Sequence, residues 1–504
     1  MKGSCVIIGG GIGGLFTGAF LSKNGVKVTV LEKNTIIGGG LQCFYRNGKI
    51  FETGMHVAGG FGPDGNLNKI CRYLGISQKL KLQHVPAECS DEIYYNSTGE
   101  SFRIASGKEN FIERLTHYFP HESEGIRRYV DELFRLTDEV PLFSLHEDSP
   151  LFENNHSENF LISADALIDK YVKDGKLREI LAYLNPLYGG VKGHTPAYIH
   201  AILNVLYING ASRFVGGGQQ LADALCGVIE TNGGIVKTSS PVIKIEIKDK
   251  AVQYVVSADG KKYVADNYVS AIHPVAMVRM ASVGAFRKSF VHRLNEIPNS
   301  TSAFSLYVDL RPETFPYIDH TCYYMEDYGL MWDQDKVESS VWPKAFMYMT
   351  PPDEKQGKYA NRLLIHCLMN FDEVREWEHT ETSKRGAEYE EWKASMSNRL
   401  IKKLSNIFPN LNDCIANIYS SSPLTIRDYY NTKDGAIFGY RKDCENLIVS
   451  RLPVYTKMNN LFLTGQNVIL HGICGVPLTA INTAEAILGK NMIINAIRNH
   501  EANV

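Results

Sequence analysis

An α/β architecture built on parallel strands is what the sequence predicts, and three features near its beginning carry that prediction. An apolar run, Val6-Ile7-Ile8, leads into Gly9-x-Gly11-x-x-Gly14. A helical pattern rich in small residues, with Gly18 and Ala19, follows. A second β-branched run, Val26 to Leu31, then ends on Glu32. Strand, glycines, helix, strand and terminal acid in this order describe a Rossmann-like unit.

Each part has a physical task in holding a dinucleotide. Gly9 makes the tight turn, and Gly11, with Gly13 beside it, lets backbone approach a pyrophosphate. Gly14 lets the helix lie close on the strands, and the helix start offers free N–H groups to phosphate. Glu32, about twenty residues on, is placed to accept hydrogen bonds from a ribose diol. The same acid repels a 2′-phosphate, which disfavours NADP and leaves FAD and NAD. Directly after it comes Lys33-Asn-Thr-Ile-Ile-Gly38-Gly39-Gly40-Leu41. A second loop able to bring N–H groups to another part of a long ligand suits FAD; a plain flexible loop is the competing reading.

Further along, the sequence carries Phe51-Glu52-Thr53-Gly54-Met55-His56, Arg213-Phe-Val-Gly216-Gly217-Gly218-Gln-Gln-Leu221 and Gly233-Gly234 with Val242. Ser422-Pro423-Leu424-Thr425 with Gly435-Ala436, and Thr464-Gly465-Gln466-Asn467 followed by Gly472 and Gly475, come later. Taken with the N-terminal motifs, this series resembles the phytoene desaturase-like flavoproteins, and within them the retinol saturases and carotenoid isomerases. The resemblance spans almost the whole chain. It implies FAD as cofactor, a glutathione reductase-type FAD-binding fold with an interleaved α+β substrate domain, and chemistry on C=C bonds of a lipophilic polyene or isoprenoid. It also implies that Lys33, Gly39, Gly40, Leu41, His56, Val242, Gly465, Gln466, Asn467 and Val476 face the cofactor. Asn467 departs from the pattern, because relatives usually carry an acid there that binds the ribityl or phosphate region.

Composition narrows the remaining classes. At 504 residues the chain exceeds one ordinary core and should form two interleaved domains. A formal net charge of -2 with no polybasic tract argues against nucleic acid and against electrostatic docking on lipid. Met1-Lys2 runs straight into the first strand, and no apolar stretch is long enough to span a bilayer, so a cytoplasmic protein with at most peripheral membrane contact is expected. The 10 cysteines form no C-x-x-C pair, which argues against structural zinc and dithiol chemistry and leaves no metal expected.

In chain order, residues 1–84 should form the first part of the FAD-binding domain. Residues 85–210 open the substrate domain, with short strands to Gly107, helical patterns from Lys108 to Ser144 and Ala164 to Gly210, and a polar loop from His146 to Asn159. Residues 211–276 return to the FAD-binding domain with a helix Gln220–Glu230 and strands Val242–Ile247, Ala251–Ser257 and Tyr263–Ser270. Residues 277–446 continue the substrate domain. There Tyr389, Trp392, Met396, Leu400 and Leu404 recur at helical spacing and should pack on the core. Residues 447–504 close the FAD-binding domain with a final helix Thr479–Leu488.

A flavin carries the redox chemistry, so the protein need only supply orientation, electrostatics and exclusion of water. His56, following a glycine, is the candidate to protonate a carbon centre, with simple lining of the pocket as the competing role. Arg213 is the second catalytic candidate, either neutralising reduced flavin or making a structural ion pair. Tyr188 is a candidate for the substrate tunnel. Leu221 stands where a second Gly-x-Gly-x-x-Gly would need its third glycine, so a separate NAD(P)H domain is not expected and an external electron donor or acceptor is. An amine oxidase-like flavoprotein and a non-catalytic binder of a hydrophobic ligand are the alternative readings.

Overall fold

The computed structural model describes residues 3–146, 156–334, 338–355, 357–446 and 451–503. Most of the segment expected to be a loop, residues 147–155, lies outside the described residues.

A five-stranded parallel sheet forms the first layer, in the order Ile235–Lys237, Lys27–Leu31, Ser4–Ile8, Asn267–Ser270, Leu461–Leu463. Its central strands are apolar without alternation because helices cover both faces. Val6, Ile7, Ile8, Val28, Val30 and Leu31 are all buried. The helix Ile12–Lys23 packs against Gly472–Leu488 and Gln219–Thr231. Thr17 Oγ1 also meets Thr464 Oγ1, just past the strand Leu461–Leu463, at 3.1 Å.

A seven-stranded mixed sheet forms the second large layer, in the order Ile415–Ser421, Ser302–Leu310, Arg362–Met369, Ala345–Met349, Thr321–Met325, Asp91–Tyr95, Glu100–Ile104. Its pairs are antiparallel except Thr321–Met325 with Asp91–Tyr95. The helix Ala387–Leu404 lays one apolar stripe on this sheet, with Met396, Leu400 and Leu404 in one cluster with Phe304, Leu306 and Ile365. The charged residues of that helix take the solvent side, as amphipathic spacing requires.

Three differences from the sequence reading have physical causes. Val242–Lys248, Ala251–Ser257 and Lys262–Tyr263 pair among themselves as a separate antiparallel sheet, while Asn267–Ser270 alone joins the parallel one. The final long helix begins at Gly472 rather than Thr479 and runs through Pro477. Proline removes one helical N–H, and in the next positions Thr479 ties the helix to the chain before it: its Oγ1 accepts from the Leu470 N–H at 3.2 Å and donates to the Gly475 carbonyl at 3.3 Å. A further helix, Met492–Glu501, follows, and Glu501 pairs with Arg72 on the helix Asn66–Leu74. Among the described residues no single helix is long and apolar enough to cross a membrane; only Gly472–Leu488 and Met492–Glu501 taken together are, and they are bent by 118°.

Candidate active site

A cavity of about 500 Å³ runs from the first glycine turn to the inner face of the seven-stranded sheet. At its first end Gly9, with φ of +105°, turns the chain out of the first strand. A Cβ on Gly11 would meet nothing within 4 Å, whereas one on Gly14 would lie 2.1 Å from the Gly9 carbonyl oxygen. Gly11 caps the helix Ile12–Lys23 with no side chain on its N–H groups. This is an open anion cradle over a tightly closed turn, and it fits a pyrophosphate.

Glu32 closes the same end. Its Oε2 accepts from the Gly10 N–H at 2.7 Å and its Oε1 accepts from the Asn34 N–H at 2.8 Å. These bonds fix the carboxylate in the cavity wall and leave each oxygen a lone pair for a ribose hydroxyl. The second glycine cluster lies directly on the first, with the Gly38 N–H donating to the Gly10 carbonyl at 2.8 Å. Gly39, Gly40 and Leu41 line the cavity beside it. Lys33 also lines it, but its ammonium donates to the Asp428 carbonyl. Burial lowers the Lys33 pKa, with Glu32 and Asp428 opposing.

The closing motif meets the opening one here. A Cβ on Gly13 would lie 2.8 Å from Gly465 Cα. Gln466, Asn467, Val476 and Val242 complete this wall. The Asn467 Oδ1 accepts from the Tyr440 N–H at 3.0 Å, so this departure from the family's acid braces the neighbouring chain. Gly14, expected to touch the cofactor, does not line the cavity; its task is the close packing just described.

His56 lines the middle of the cavity and stacks on His366, ring centres 4.1 Å apart at 24°. His56 Nδ1 lies 3.4 Å from Glu52 Oε2, and His366 Nδ1 lies 2.8 Å from Ser305 Oγ. Burial, reinforced by Arg213, lowers the His56 pKa to about 3, and burial drives His366 well below its ordinary value. Burial pushes the Glu52 carboxyl up to about 8 against the pull of Arg362, Arg213 and the Gly218 N–H.

Arg213 requires a correction. It is 1% exposed on the strand Ala211–Phe214 and does not line the cavity. Its guanidinium donates to the carbonyls of Ile318 and Thr350 at 3.1 and 3.3 Å, which ties two segments together behind the wall. Tyr188 does line the cavity, and its hydroxyl bonds His200 Nδ1 at 2.8 Å. Glu52, Ser305 and His366 escaped the sequence reading. Their signal was a lone polar residue in an apolar strand, as in Leu363-Leu364-Ile365-His366-Cys367.

Beyond the histidines the chamber is largely apolar, lined by Ile199, Ile202, Leu203 and Leu206 from the helix Ala197–Ile208 and by Met347 and Met349. Among the described residues Glu32 is the single carboxylate on the cavity wall.

Comparison with known proteins agrees with this geometry. Residues 12–385 match the family described as flavin containing amine oxidoreductase. The chain is 23% identical to all-trans-retinol 13,14-reductase of Danio rerio, over 97% of this chain and 87% of that protein. It is 26% identical to prolycopene isomerase 2 of an Oncidium hybrid cultivar, over 96% of this chain and 83% of that protein. Among solved structures it resembles an oxidoreductase from Methanosarcina mazei, with a TM-score of 0.65, 18% identity, and coverage of 96% of this chain and 100% of that one. The cradle over Gly11, the fixed Glu32 and the meeting of the two terminal motifs suit one ligand, and the chain belongs to the flavin containing amine oxidoreductase family, with FAD as its cofactor.

Proposed function

We propose that this protein is an FAD-dependent oxidoreductase acting on C=C bonds of a lipophilic polyene or isoprenoid, by saturation, desaturation or isomerisation. The observation that carries the reading is the chamber beyond the cofactor cradle, which is largely apolar and, among the described residues, has no carboxylate on its wall. An alkylammonium ion buried there would have no counter-charge, and burying an unpaired charge is prohibitive. That disfavours an amine substrate even though the family takes its name from one. The retinol reductase and prolycopene isomerase relatives support the same substrate class.

When bound, FAD supplies hydride chemistry. The chain's own residues do the rest. The Ala197–Ile208 helix and the methionines of the Ala345–Met349 strand hold an apolar chain and exclude water. Glu32 and the two glycine clusters hold the dinucleotide. His56 is the group on the wall able to exchange a proton with a substrate carbon. Division into an FAD-binding unit (residues 1–84, 211–276 and 447–504) and a substrate unit (85–210 and 277–446) is supported by the segments that build the two large sheets. An external donor or acceptor exchanges electrons with the flavin, and collection of substrate from a bilayer surface fits an apolar ligand.

The test is anaerobic incubation of the holoenzyme, oxidised and chemically reduced, with a panel of polyenes, followed by mass spectrometry. A two-hydrogen mass change, or a changed retention time at constant mass, is the expected result. Inertness toward polyenes combined with rapid oxidation of amines would overturn the proposal.

A further inference from the structure

Two stacked imidazoles, His56 and His366, line the wall of a largely apolar chamber, and a carboxyl lies just behind them. The strand Lys49–Glu52 carries Glu52 to the back of that wall, 3% exposed. The chain then turns so that His56 Nδ1 faces Glu52 Oε2 at 3.4 Å. The other carboxyl oxygen, Oε1, is buried without a hydrogen-bond partner. His366 covers the His56 ring, and its own Nε2 is also buried and unpartnered. Such uncompensated polar groups concentrate at functional sites.

The charged groups facing Glu52 do not neutralise it by direct pairing. Arg362 gives its guanidinium to the Ile50 and Pro352 carbonyls and to Asp353; Arg213 gives Nη1 to Ile318 and Thr350, while its Nε and Nη2 are buried without a hydrogen bond to Glu52 or any other group. The remaining titratable neighbour is the buried Cys43 thiol, which burial holds protonated. Around His56, burial and then Arg213 disfavour a cationic ring, and burial and His56 do the same for His366.

We propose that Glu52 and His56 form a proton-delivery relay, in which the Glu52 carboxyl donates to His56 Nδ1 and the opposite ring nitrogen, Nε2, gives its proton to a polyene carbon. The relay rests on the proposed function and deepens it. Saturating one C=C bond adds a hydride and a proton. Two electrons arrive with the hydride from flavin previously reduced by an external donor. The proton leaves His56 Nε2, Nδ1 takes the Glu52 proton, and the imidazole stays neutral throughout. The relay resets when Nε2 takes a proton from water and Nδ1 returns its own to the Glu52 carboxylate. His56 is the catalytic residue of this pair. Glu52 acts through it as a positioning residue, and His366, held by Ser305, fixes the plane of the ring.

The test uses the FAD holoenzyme and its Glu52→Gln and Glu52→Asp variants. Infrared difference spectra at pH 7 should contain a protonated-carboxyl C=O band that Glu52→Gln lacks and that fades as pH rises through about 8. In stopped flow, photoreduced enzyme is mixed with all-trans-retinol or β-carotene and the return of oxidised flavin is followed. Glu52→Gln should slow that step by about 100-fold or more, the scale of general acid catalysis. Glu52→Asp should recover part of the rate, reoxidation by oxygen should be unchanged, and the wild-type rate should fall above pH 8. Absence of the band, or equal rates in Glu52→Gln and wild type, overturns the relay. A wild-type enzyme inert toward every polyene overturns the proposed function instead, and the infrared band then decides the relay alone.

Discussion

Gly11 and Gly14 sit at the start of the same helix and serve opposite needs. The space over Gly11 is empty of protein, while the space over Gly14 is filled by the Gly9 carbonyl. Gly11→Ala should therefore keep the fold, with stability of the cofactor-free protein within about 1 kcal/mol of wild type, and lose FAD because the methyl occupies the pyrophosphate approach. Gly14→Ala should fail at an earlier stage, with a lowered melting temperature or insoluble protein, since backbone cannot yield at 2.1 Å. The flavin-to-protein absorbance ratio and a thermal melt separate the two; normal flavin content in Gly11→Ala would refute the cradle. These glycines were legible in the sequence because their spacing between a strand and a helix is itself the signal: packing excludes a side chain at Gly14, and ligand approach excludes one at Gly11. His366 was not, since its partner lies far away in the chain and only sheet pairing brings it under His56. Arg213 was misread for a related reason: its position beside a glycine motif says nothing about the carbonyls its guanidinium reaches.

Among elements, the parallel pairing of Thr321–Met325 with Asp91–Tyr95 joins two distant segments, and a side-chain clasp guards its end. His320 Nε2 meets Glu92 Oε2 at 3.1 Å, while Nδ1 meets Asp319 Oδ1 at 2.9 Å. The hydrogen bond from His320 holds Glu92 down at about 2. Burial works against a charged His320, but contacts with Cys322, Glu92 and Asp319 prevail and raise it to about 10. His320 then contributes fully below its ordinary 6.5 and loses that contribution as pH climbs toward 10. Glu92 contributes fully above its ordinary 4.5 and loses that contribution as pH falls toward 2. His320→Gln should accordingly lower the melting temperature most between pH 4.5 and 6.5, with the difference shrinking as pH rises from 6.5 to about 10. A pH-independent difference would exclude ionisation as its origin. Strands and helices themselves were largely legible where periodicity was strong, as in Ser4–Ile8 and Ala387–Leu404. The start of the Gly472–Leu488 helix was not, because Pro477, inside it, lacks a helical N–H and masks the helical pattern ahead of Thr479.

At the scale of the whole molecule, strands from three separate stretches of chain meet in one sheet, and the cofactor motifs ride on their ends. A ligand spanning those motifs binds only the folded form. FAD at 100 times its Kd should add about 2.7 kcal/mol of stability, so the melting temperature should rise as FAD is titrated into cofactor-free protein. A melting temperature indifferent to FAD would mean that the motifs do not share one ligand. Local signals fixed the first βαβ unit, yet they could not tell which later strands join it: Asn267–Ser270 does, whereas the more strongly β-branched Ala251–Ser257 pairs elsewhere. That choice is made by packing partners remote in sequence. The parallel sheet has a further consequence for biosynthesis. Its edge strand, Leu461–Leu463, and the Gly465 turn beyond it are among the last parts of this sequence to leave the ribosome. Translation proceeds at about 5–20 residues per second, so the opening glycine turn waits tens of seconds for its counterpart. Flavin capture is therefore a late event, and a nascent chain stalled before residue 461 would carry the family's most recognisable motif with no means of retaining the cofactor.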